Sequence, residues 1–158
     1  MPIIVFKKTT AKYKGDIKDG KMHGEGTIRY ENGRTYTGEF KRGKKSGLGV
    51  MYYADGSLYK GEWLNDTPCG NGVGKWVNKD VYSGQWKNTT MWGKGVMKYG
   101  NGNVYTGEWH NGRRHGQGLM EYSNGGVYKG VWNNGFHAGI GKYDGPWSFG
   151  RPDIDRFA

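Results

Sequence analysis

Large apolar side chains recur along the chain in short alternating runs that repeat every 23 residues. We count the tyrosines at 13, 36, 59, 82, 105 and 128 as position 0 of six repeats. Position 2 is then always glycine, and position 4 is always large and apolar. Polar residues separate these positions in "YKGEW" and "YTGEW". Alternation with a period of two predicts a β-strand with one apolar face.

A second alternating run follows at positions 13, 15 and 17, for example Gly118, Met120 and Tyr122. It predicts a second strand in each repeat. The junctions between repeats read "ENGR", "ADGS", "GNGN" and "SNGG", and Asn-Gly or Asp-Gly between strands predicts a tight turn. Positions 6–10, as in "KRGKKS" and "HNGRRH", predict a longer loop. Each repeat is therefore predicted to be a β-hairpin that pairs with the next.

Glycine makes up 31 of the 158 residues, against an average of about 7%. It is invariant at positions 2, 11 and 13. A turn-forming role does not explain position 2, because that position lies within a strand. Glycine there leaves room for a ring to lie over the backbone, and positions 11 and 13 are expected to need a positive φ or a close approach.

These patterns predict an all-β protein: an elongated, twisted, single-layer antiparallel meander of about six 23-residue hairpins. Such a sheet is expected to curl towards a half-pipe with a concave side. Residues 1–12 are expected to add an N-terminal capping strand. The six repeats are placed at residues 13–35, 36–58, 59–81, 82–104, 105–127 and, in part, 128–143. Residues 144–158 are expected to form a C-terminal capping segment rich in Pro, Trp and Phe.

The repeated segments resemble MORN repeats (membrane occupation and recognition nexus), which have Tyr-x-Gly-x-Trp, then Gly, then His-Gly-x-Gly, then Tyr and a turn Gly. Repeat 5, "YTGEWHNGRRHGQGLMEYSNG", and repeat 2 match closely, and the resemblance covers residues 13–143. Repeats 3 and 4 depart from it at Asp66, Cys69, Lys79, Thr89 and Trp92. The resemblance implies an extended single-layer β array used for protein–protein assembly or anchoring, in some relatives beside membranes.

The net charge is +10, and residues 1–45 carry 12 Lys and Arg against 5 Asp and Glu, or +7. Such a surface favours anionic partners. Because equivalent loops should lie on one edge of the sheet, we expect a basic rim formed by Lys18, Lys21, Lys41, Arg42, Lys44, Lys45, Arg113 and Arg114. This rim is interpreted either as solubilising charge or as a docking strip for an anionic protein, a phospholipid surface or nucleic acid.

No catalytic, cofactor-binding or metal-binding set emerges from the sequence. His23 and His115 share a repeat position but lie four repeats apart, so they are expected to tie the loop backbone rather than to bind a metal. "GEFKRGKK" resembles a phosphate-binding loop, but Lys45 stands where a hydroxyl is needed. Asp16, Glu39, Glu62 and Glu108 are expected to form an exposed ladder that balances Lys and Arg. We therefore expect a protein without enzymatic activity or cofactor.

The leading hypothesis is a scaffold or adaptor that binds a peptide or helix of another protein in the groove of the sheet. The candidate groove or core aromatics are Tyr36, Tyr53, Trp63, Trp86, Tyr99, Trp109, Tyr122 and Trp132. The alternative is polyanion binding, to nucleic acid or acidic lipid, through the basic rim; a homo-oligomer formed through the array ends is a third hypothesis. One cysteine and no apolar run of about 20 residues favour a cytoplasmic location, with the nucleus or a membrane surface as alternatives.

Overall fold

The computed structural model describes residues 3–6 and 11–145, in which all regular structure is β-strand. The thirteen strands, β1 to β13, span Ile3–Phe6, Ala11–Lys18, Lys21–Arg29, Thr35–Lys41, Lys44–Tyr52, Leu58–Leu64, Thr67–Lys75, Val81–Lys87, Thr90–Lys98, Val104–His110, Arg113–Glu121, Val127–Asn133 and Phe136–Asp144. They lie in one sheet in chain order. The prediction of an antiparallel meander of about six hairpins is confirmed.

The ends of the meander were predicted to carry a strand and a capping segment. β1 pairs antiparallel with β2, with Ile4 opposite Tyr13, so the N-terminal strand is present. The predicted C-terminal cap falls almost entirely on residues 146–158, which lie outside the described residues. None of the described residues belongs to a helix that could span a membrane.

The hairpin turns inside each repeat are shorter than the sequence suggested. β4 and β5 are joined by Arg42 and Gly43 alone, with φ of 51° and 84°. Two successive positive φ angles define the type I′ turn, whose twist matches that of the flanking strands. The predicted longer loop over positions 6–10 is therefore wrong. The other repeats turn at Asp19–Gly20, Asn65–Asp66, Asn88–Thr89, Asn111–Gly112 and Asn134–Gly135.

The junctions between repeats are turns, as predicted, but they are the longer of the two connections. In the first, the Tyr30 N–H donates to the Arg34 carbonyl oxygen (2.9 Å) and the Gly33 N–H donates to the Tyr30 carbonyl oxygen (3.1 Å). The Asn32 side chain accepts the Arg34 N–H at 3.2 Å. A left-handed residue follows the turn, Gly33 here and Lys79 in repeat 3. The asparagine and the left-handed residue explain the Asn-Gly signature of these junctions.

The described residues within Met1–Val77 and Trp86–Thr89 form one compact unit, and those within Asn78–Gln85 and Thr90–Ala158 form a second. Each unit has a core of rings from positions 0 and 4 that meet edge to face. In the first unit Tyr36 meets Phe40 and Trp63, each at 5.1 Å between ring centroids. In the second unit Tyr105 meets Trp109 and Trp132, each at 5.2 Å. Edge-to-face packing is a favoured aromatic geometry, and the predicted layer of rings is confirmed within each unit.

Glycine makes this layer possible because the tyrosine rings lie flat on the backbone. Gly107 pairs with Gly118, and Tyr105 lies over both, with its hydroxyl donating to the Glu108 carbonyl oxygen at 3.0 Å. A Cβ on Gly118 would collide with the Tyr105 ring and hydroxyl. Gly116, at position 11, has φ of 57° beside the register shift between β10 and β11. Both expected roles of glycine, close approach and positive φ, are confirmed.

Candidate functional site

The sheet face that carries the tyrosine and tryptophan rings, here called the aromatic face, is the candidate site. Most of the predicted groove aromatics are core residues: Tyr36 is 0% exposed, Trp63 4% and Trp86 8%, and Trp109 and Trp132 are equally buried. Only the position-17 rings Tyr53, Tyr99 and Tyr122 keep partial exposure. A partner can therefore reach this face only where the residues that cover the core rings leave an opening.

The side chain at position 9 of each repeat is one of the two that cover the core rings. Because the hairpin turn has only two residues, position 9 pairs directly with position 4, as Lys45 does with Phe40, and so lies on the aromatic face. The Lys45 side chain is only 12% exposed, and its Nζ lies 3.3 Å from Asp66 Oδ1. This ammonium group also lies 5.7–5.8 Å from three ring centroids, those of Tyr30, Tyr36 and Trp63. Lys45 is thus a cation held on the aromatic face, away from the predicted rim.

Arg114 holds the same place in repeat 5. Its guanidinium carbon lies 4.3 Å from the Trp132 ring centroid and 5.9 Å from that of Tyr105. Its Nη2 donates to the Gly135 carbonyl oxygen at 2.6 Å. Burial raises the pKa of Tyr99, and the charge of Arg114 acts in the opposite direction. Repeats 2 and 5 therefore each cover their rings with an internal cation.

The remaining repeats use other long or flat side chains at position 9, with one exception. Met22 and Met91 stand there in repeats 1 and 4, and His137 packs 3.9 Å from the Tyr128 ring in repeat 6. Repeat 3 has Pro68. Position 15, the second source of cover, shows the same exception: Gly74 stands where other repeats bury Ile28, Met51, Met97 and Met120. Repeat 3 thus lacks both long covering side chains.

A cavity of about 280 Å³ lies at this place in the first unit. Its lining residues are Tyr53, Asp55, Ser57, Leu58, Tyr59, Pro68, Gly74, Trp76, Trp86 and Thr89. Trp76 is 36% exposed and stacks on Trp86 with 6.4 Å between ring centroids and 24° between planes. A Cβ on Gly74 would lie 2.8 Å from Trp76 Cη2 and 3.0 Å from Trp86 Cη2. The missing side chain therefore lets Trp76 lean over the backbone and form a wall of the cavity.

Asp55 brings a carboxylate to the cavity. Its Oδ1 accepts hydrogen bonds from the Ser57 N–H (2.8 Å) and hydroxyl (2.5 Å), and these bonds lower the pKa of Asp55. The other junctions have asparagine at this position, and each accepts the same backbone hydrogen bond at 3.0–3.2 Å. The turn itself therefore needs no negative charge. Among these five junction residues, Asp55 alone is charged.

The predicted basic rim is reduced to the hairpin tips. Lys18 and Lys21 flank the β2–β3 turn, and Lys41, Arg42 and Lys44 surround the β4–β5 turn. All five are exposed, and none forms an ion pair with a residue in the described ranges. The two turns are adjacent, because the Gly43 N–H donates to the Met22 carbonyl oxygen at 2.8 Å. Arg113 is likewise exposed at its own turn, whereas Lys45 and Arg114 lie on the aromatic face.

The residues weighed for catalysis have structural surroundings. Glu39 Oε1 accepts the Leu48 N–H at 2.7 Å and Glu62 Oε1 the Asn71 N–H at 2.8 Å, so the acidic column binds backbone rather than forming a simple charge ladder. His115 Nδ1 is buried without a hydrogen bond to the described residues, contrary to its expected tie to the loop. Burial raises the pKa of the Cys69 thiol. Within residues 3–6 and 11–145, no three His, Cys, Asp or Glu side chains converge to hold a metal.

Comparison with known proteins yields one family and several solved structures. The family model for the MORN repeat matches residues 13–33, 36–58, 59–81, 82–104, 105–127 and 128–152. The Drosophila melanogaster SAS-4 (dCPAP) TCP domain, in complex with a proline-rich motif of Ana2 (dSTIL), is similar with 11% identity and a TM-score of 0.51, over 82% of this chain and 77% of that one. The Danio rerio CPAP TCP10 domain, in complex with a STIL peptide, is similar with 12% identity and a TM-score of 0.52, over 82% of this chain and 57% of that one. No curated protein sequence matches the chain.

Proposed function

Because the chain belongs to the MORN-repeat family, we propose that it is a non-enzymatic scaffold that binds an extended segment of another protein on the aromatic face of its sheet. The observation that carries the proposal is the cavity of repeat 3, where two covering side chains are replaced by Pro68 and Gly74. Concave sites lined by aromatic rings with a few polar groups are typical of ligand-binding places on proteins.

The neighbouring surface supports a peptide as the ligand. A cavity of about 280 Å³ accommodates one side chain rather than a folded domain. The rings at the cavity lie on a sheet whose tyrosine hydroxyls donate to backbone carbonyl oxygens, as Tyr59 does to Glu62 at 3.0 Å. A pre-formed aromatic site of this kind can anchor a peptide side chain with little loss of conformational entropy in the protein.

The two similar solved folds give further support. Both were solved with a peptide of another protein bound. At 11% and 12% identity, the similarity is one of fold alone. This chain covers 57% of the length of the second structure. We take from them that a sheet of this kind is suited to capturing an extended segment, and the cavity of repeat 3 is where this chain would do so.

The test uses peptide selection with purified protein. A library of random linear peptides displayed on phage is selected on the immobilised chain, and enriched peptides are synthesised and titrated by tryptophan fluorescence. We expect Trp76→Ala to weaken these peptides about tenfold or more, as removal of a central aromatic anchor does. Tyr52→Ala is the matched control, because Tyr52 is 51% exposed and adjoins buried Met51 on the opposite face.

Two results would overturn the proposal. One is the absence of any enriched peptide that binds the chain in solution. The other is a set of peptides that lose affinity on Tyr52→Ala and keep it on Trp76→Ala, because they would bind the wrong face. Circular dichroism and thermal unfolding of both variants check that the sheet is retained.

The second candidate function is polyanion binding at the five exposed cations of the first two hairpin tips. The adjacency of these tips favours it, since contacts to several phosphates make affinity fall steeply with salt. Lys41→Glu, Arg42→Glu and Lys44→Glu are combined in one variant and titrated with duplex DNA and with phosphatidylserine vesicles at two salt concentrations. Binding that is equal in the variant and the parent, or insensitive to salt, would exclude this function.

A further inference from the structure

The cavity of repeat 3 occupies the place where repeats 2 and 5 hold a cation. Lys45 lies among residues from positions 17, 0, 4 and 7 of successive repeats, which are Tyr30, Tyr36, Trp63 and Asp66. The equivalent residues one repeat further along are Tyr53, Tyr59, Trp86 and Thr89. All four line the cavity. The surroundings of the Lys45 ammonium group are thus repeated, but position 9 is Pro68 here and supplies no cation.

From this we propose, building on the scaffold function above, that the cavity binds an arginine side chain of the partner segment. The guanidinium group takes the place that Lys45 and Arg114 fill in their own repeats. Arg114 gives the closest internal template, with its guanidinium carbon 4.3 Å from the Trp132 ring and Nη2 bonded to the Gly135 carbonyl oxygen. Trp86 and Thr89 are the corresponding residues at the cavity.

The carboxylate of Asp55 is a second and independent observation. Asparagine makes the same turn in the four other junctions, so the negative charge is not required by the fold. It occurs only at the junction that lines the cavity. Two hydrogen bonds from Ser57 fix its Oδ1 and leave the carboxylate ionised at neutral pH, since they lower its pKa. A fixed anion beside aromatic rings selects a cation over a neutral side chain.

Repeat 3 also provides more ring surface than the repeats with internal cations. Position 17 is tyrosine in repeats 1, 2, 4 and 5 and Trp76 here, stacked on Trp86 at 6.4 Å. Arginine fits such a place better than lysine because its guanidinium is planar, stacks on aromatic faces and is more weakly hydrated. The net charge of +10 opposes the approach of a cation, but screening limits that opposition to about 8 Å at physiological salt.

The first test changes the ligand and leaves the protein untouched. The probes are acetyl-Gly-Gly-Arg-Gly-Gly-amide and its citrulline analogue, which replaces the guanidinium by a neutral urea of nearly the same shape. Binding is followed by the indole N–H resonances of Trp76 and Trp86, assigned with Trp76→Phe and Trp86→Phe. We expect the arginine peptide to bind about tenfold more tightly than the citrulline peptide. Equal affinities, or tighter binding of a peptide with proline or norleucine at that position, would overturn the inference.

The second test fills the cavity from within. Pro68→Lys should place an ammonium group where Lys45 lies in repeat 2 and so weaken the arginine peptide about tenfold or more. The control Ser83→Lys adds the same charge at position 1, where repeats 1, 3 and 6 already have an exposed lysine, and should leave affinity unchanged. Asp55→Asn keeps the turn that asparagine forms elsewhere and should reduce the preference for arginine over citrulline. Unchanged affinity in Pro68→Lys would contradict the proposal even if Asp55→Asn failed to fold.

The two proposals fail in different ways. If phage-selected peptides depend on Trp76 but bind equally with arginine or citrulline, the arginine inference is wrong and the scaffold function stands. If no peptide is selected on the aromatic face, the scaffold function is wrong, whatever the small probes do.

Discussion

The side-chain oxygen of Gln85 accepts a hydrogen bond from the Lys94 N–H at 2.8 Å, in the place where glutamate does so in three other repeats. This N–H belongs to position 12, next to the left-handed glycine of the register shift. A neutral amide and a carboxylate thus perform the same task. In these four repeats position 3 supplies a hydrogen-bond acceptor of this length, and its charge is secondary.

Glu39→Gln should therefore leave the free energy of unfolding nearly unchanged, whereas Glu39→Ala should lower it by about 0.5–1.5 kcal/mol because the exposed Leu48 N–H exchanges its acceptor for water. Urea unfolding followed by tryptophan fluorescence measures both. Glu121→Ala, at an exposed strand position, is the control and should be near neutral. A Glu39→Gln loss as large as that of Glu39→Ala would show that charge, rather than the acceptor, matters.

The tyrosine hydroxyls offer a matched pair within one unit. Tyr105 donates to the Glu108 carbonyl oxygen at 3.0 Å, whereas the Tyr128 hydroxyl is buried without a hydrogen bond to the described residues. Tyr105→Phe should cost about 1 kcal/mol of unfolding free energy, and Tyr128→Phe should be neutral or stabilising, because removing an unsatisfied buried hydroxyl removes a desolvation penalty. Thermal unfolding of the two variants measures both effects. A larger loss of stability in Tyr128→Phe than in Tyr105→Phe would refute this account.

Stability should fall in alkali. Burial, as the largest cause, raises the pKa of Tyr36, Tyr59, Tyr82 and Tyr105 in the folded protein, while unfolded tyrosine titrates near pKa ~10. Above that pH the unfolded chain has lost protons that the fold retains, so the unfolding free energy decreases by about 1.4 kcal/mol per pH unit for each such tyrosine. Below it this contribution is fully present.

Urea unfolding at a series of pH values, with tyrosinate absorbance recorded in parallel, measures that slope. Tyr82→Phe removes one titrating group, so the decrease in unfolding free energy per pH unit should be smaller in this variant by the contribution of one tyrosine. Lysine titration contributes equally to the variant and the parent and therefore cancels in the comparison. Tyrosinate absorbance that appears near pH 10 while the sheet is intact would contradict the assignment.

Gly74 and Trp76 should behave as a coupled pair. Gly74→Met alone crowds the Trp76 ring, whose Cη2 would lie 2.8 Å from the new Cβ, and should be neutral or destabilising. Gly74→Met with Trp76→Tyr recreates the arrangement of Met120 and Tyr122 in repeat 5, fills the cavity and should be more stable than the parent. A double-mutant cycle should give a coupling of about 1 kcal/mol or more; additivity would argue against direct packing.

Much of the fold follows from the sequence because its period is strict. Tyrosine every 23 residues, with glycine two and thirteen places later, determines which side chains share a face. It also identifies why the strands contain glycine, as Tyr105 over Gly107 and Gly118 shows. These features depend on the alternation of apolar and polar residues and on side-chain volume, both of which can be read directly from the amino-acid sequence.

The length of the hairpin turns was predicted wrongly, and this error also affected the prediction of the candidate site. Arg42 and Thr89 adopt positive φ in two-residue turns, a conformation their side chains do not favour, so positions 6–10 resembled a longer loop. That assignment placed Lys45 and Arg114 on a rim. The short turn instead sets position 9 opposite position 4, on the ring-bearing side. The cavity was not predicted, because the assumed longer loop gave no reason to place Pro68, at position 9, and Gly74, at position 15, on the same face as the rings.

Each strand pairs only with its predecessor and its successor in the chain. A specialised place built from a few side chains is consequently confined to the neighbouring hairpins and leaves the more distant ones unaltered. Such a place is transplantable: Asn101→Asp, Arg114→Pro, Met120→Gly and Tyr122→Trp would copy the pattern of repeat 3 two repeats onward. A modular chain of this type can gain, lose or relocate a recognition point by four substitutions, with no change to its architecture.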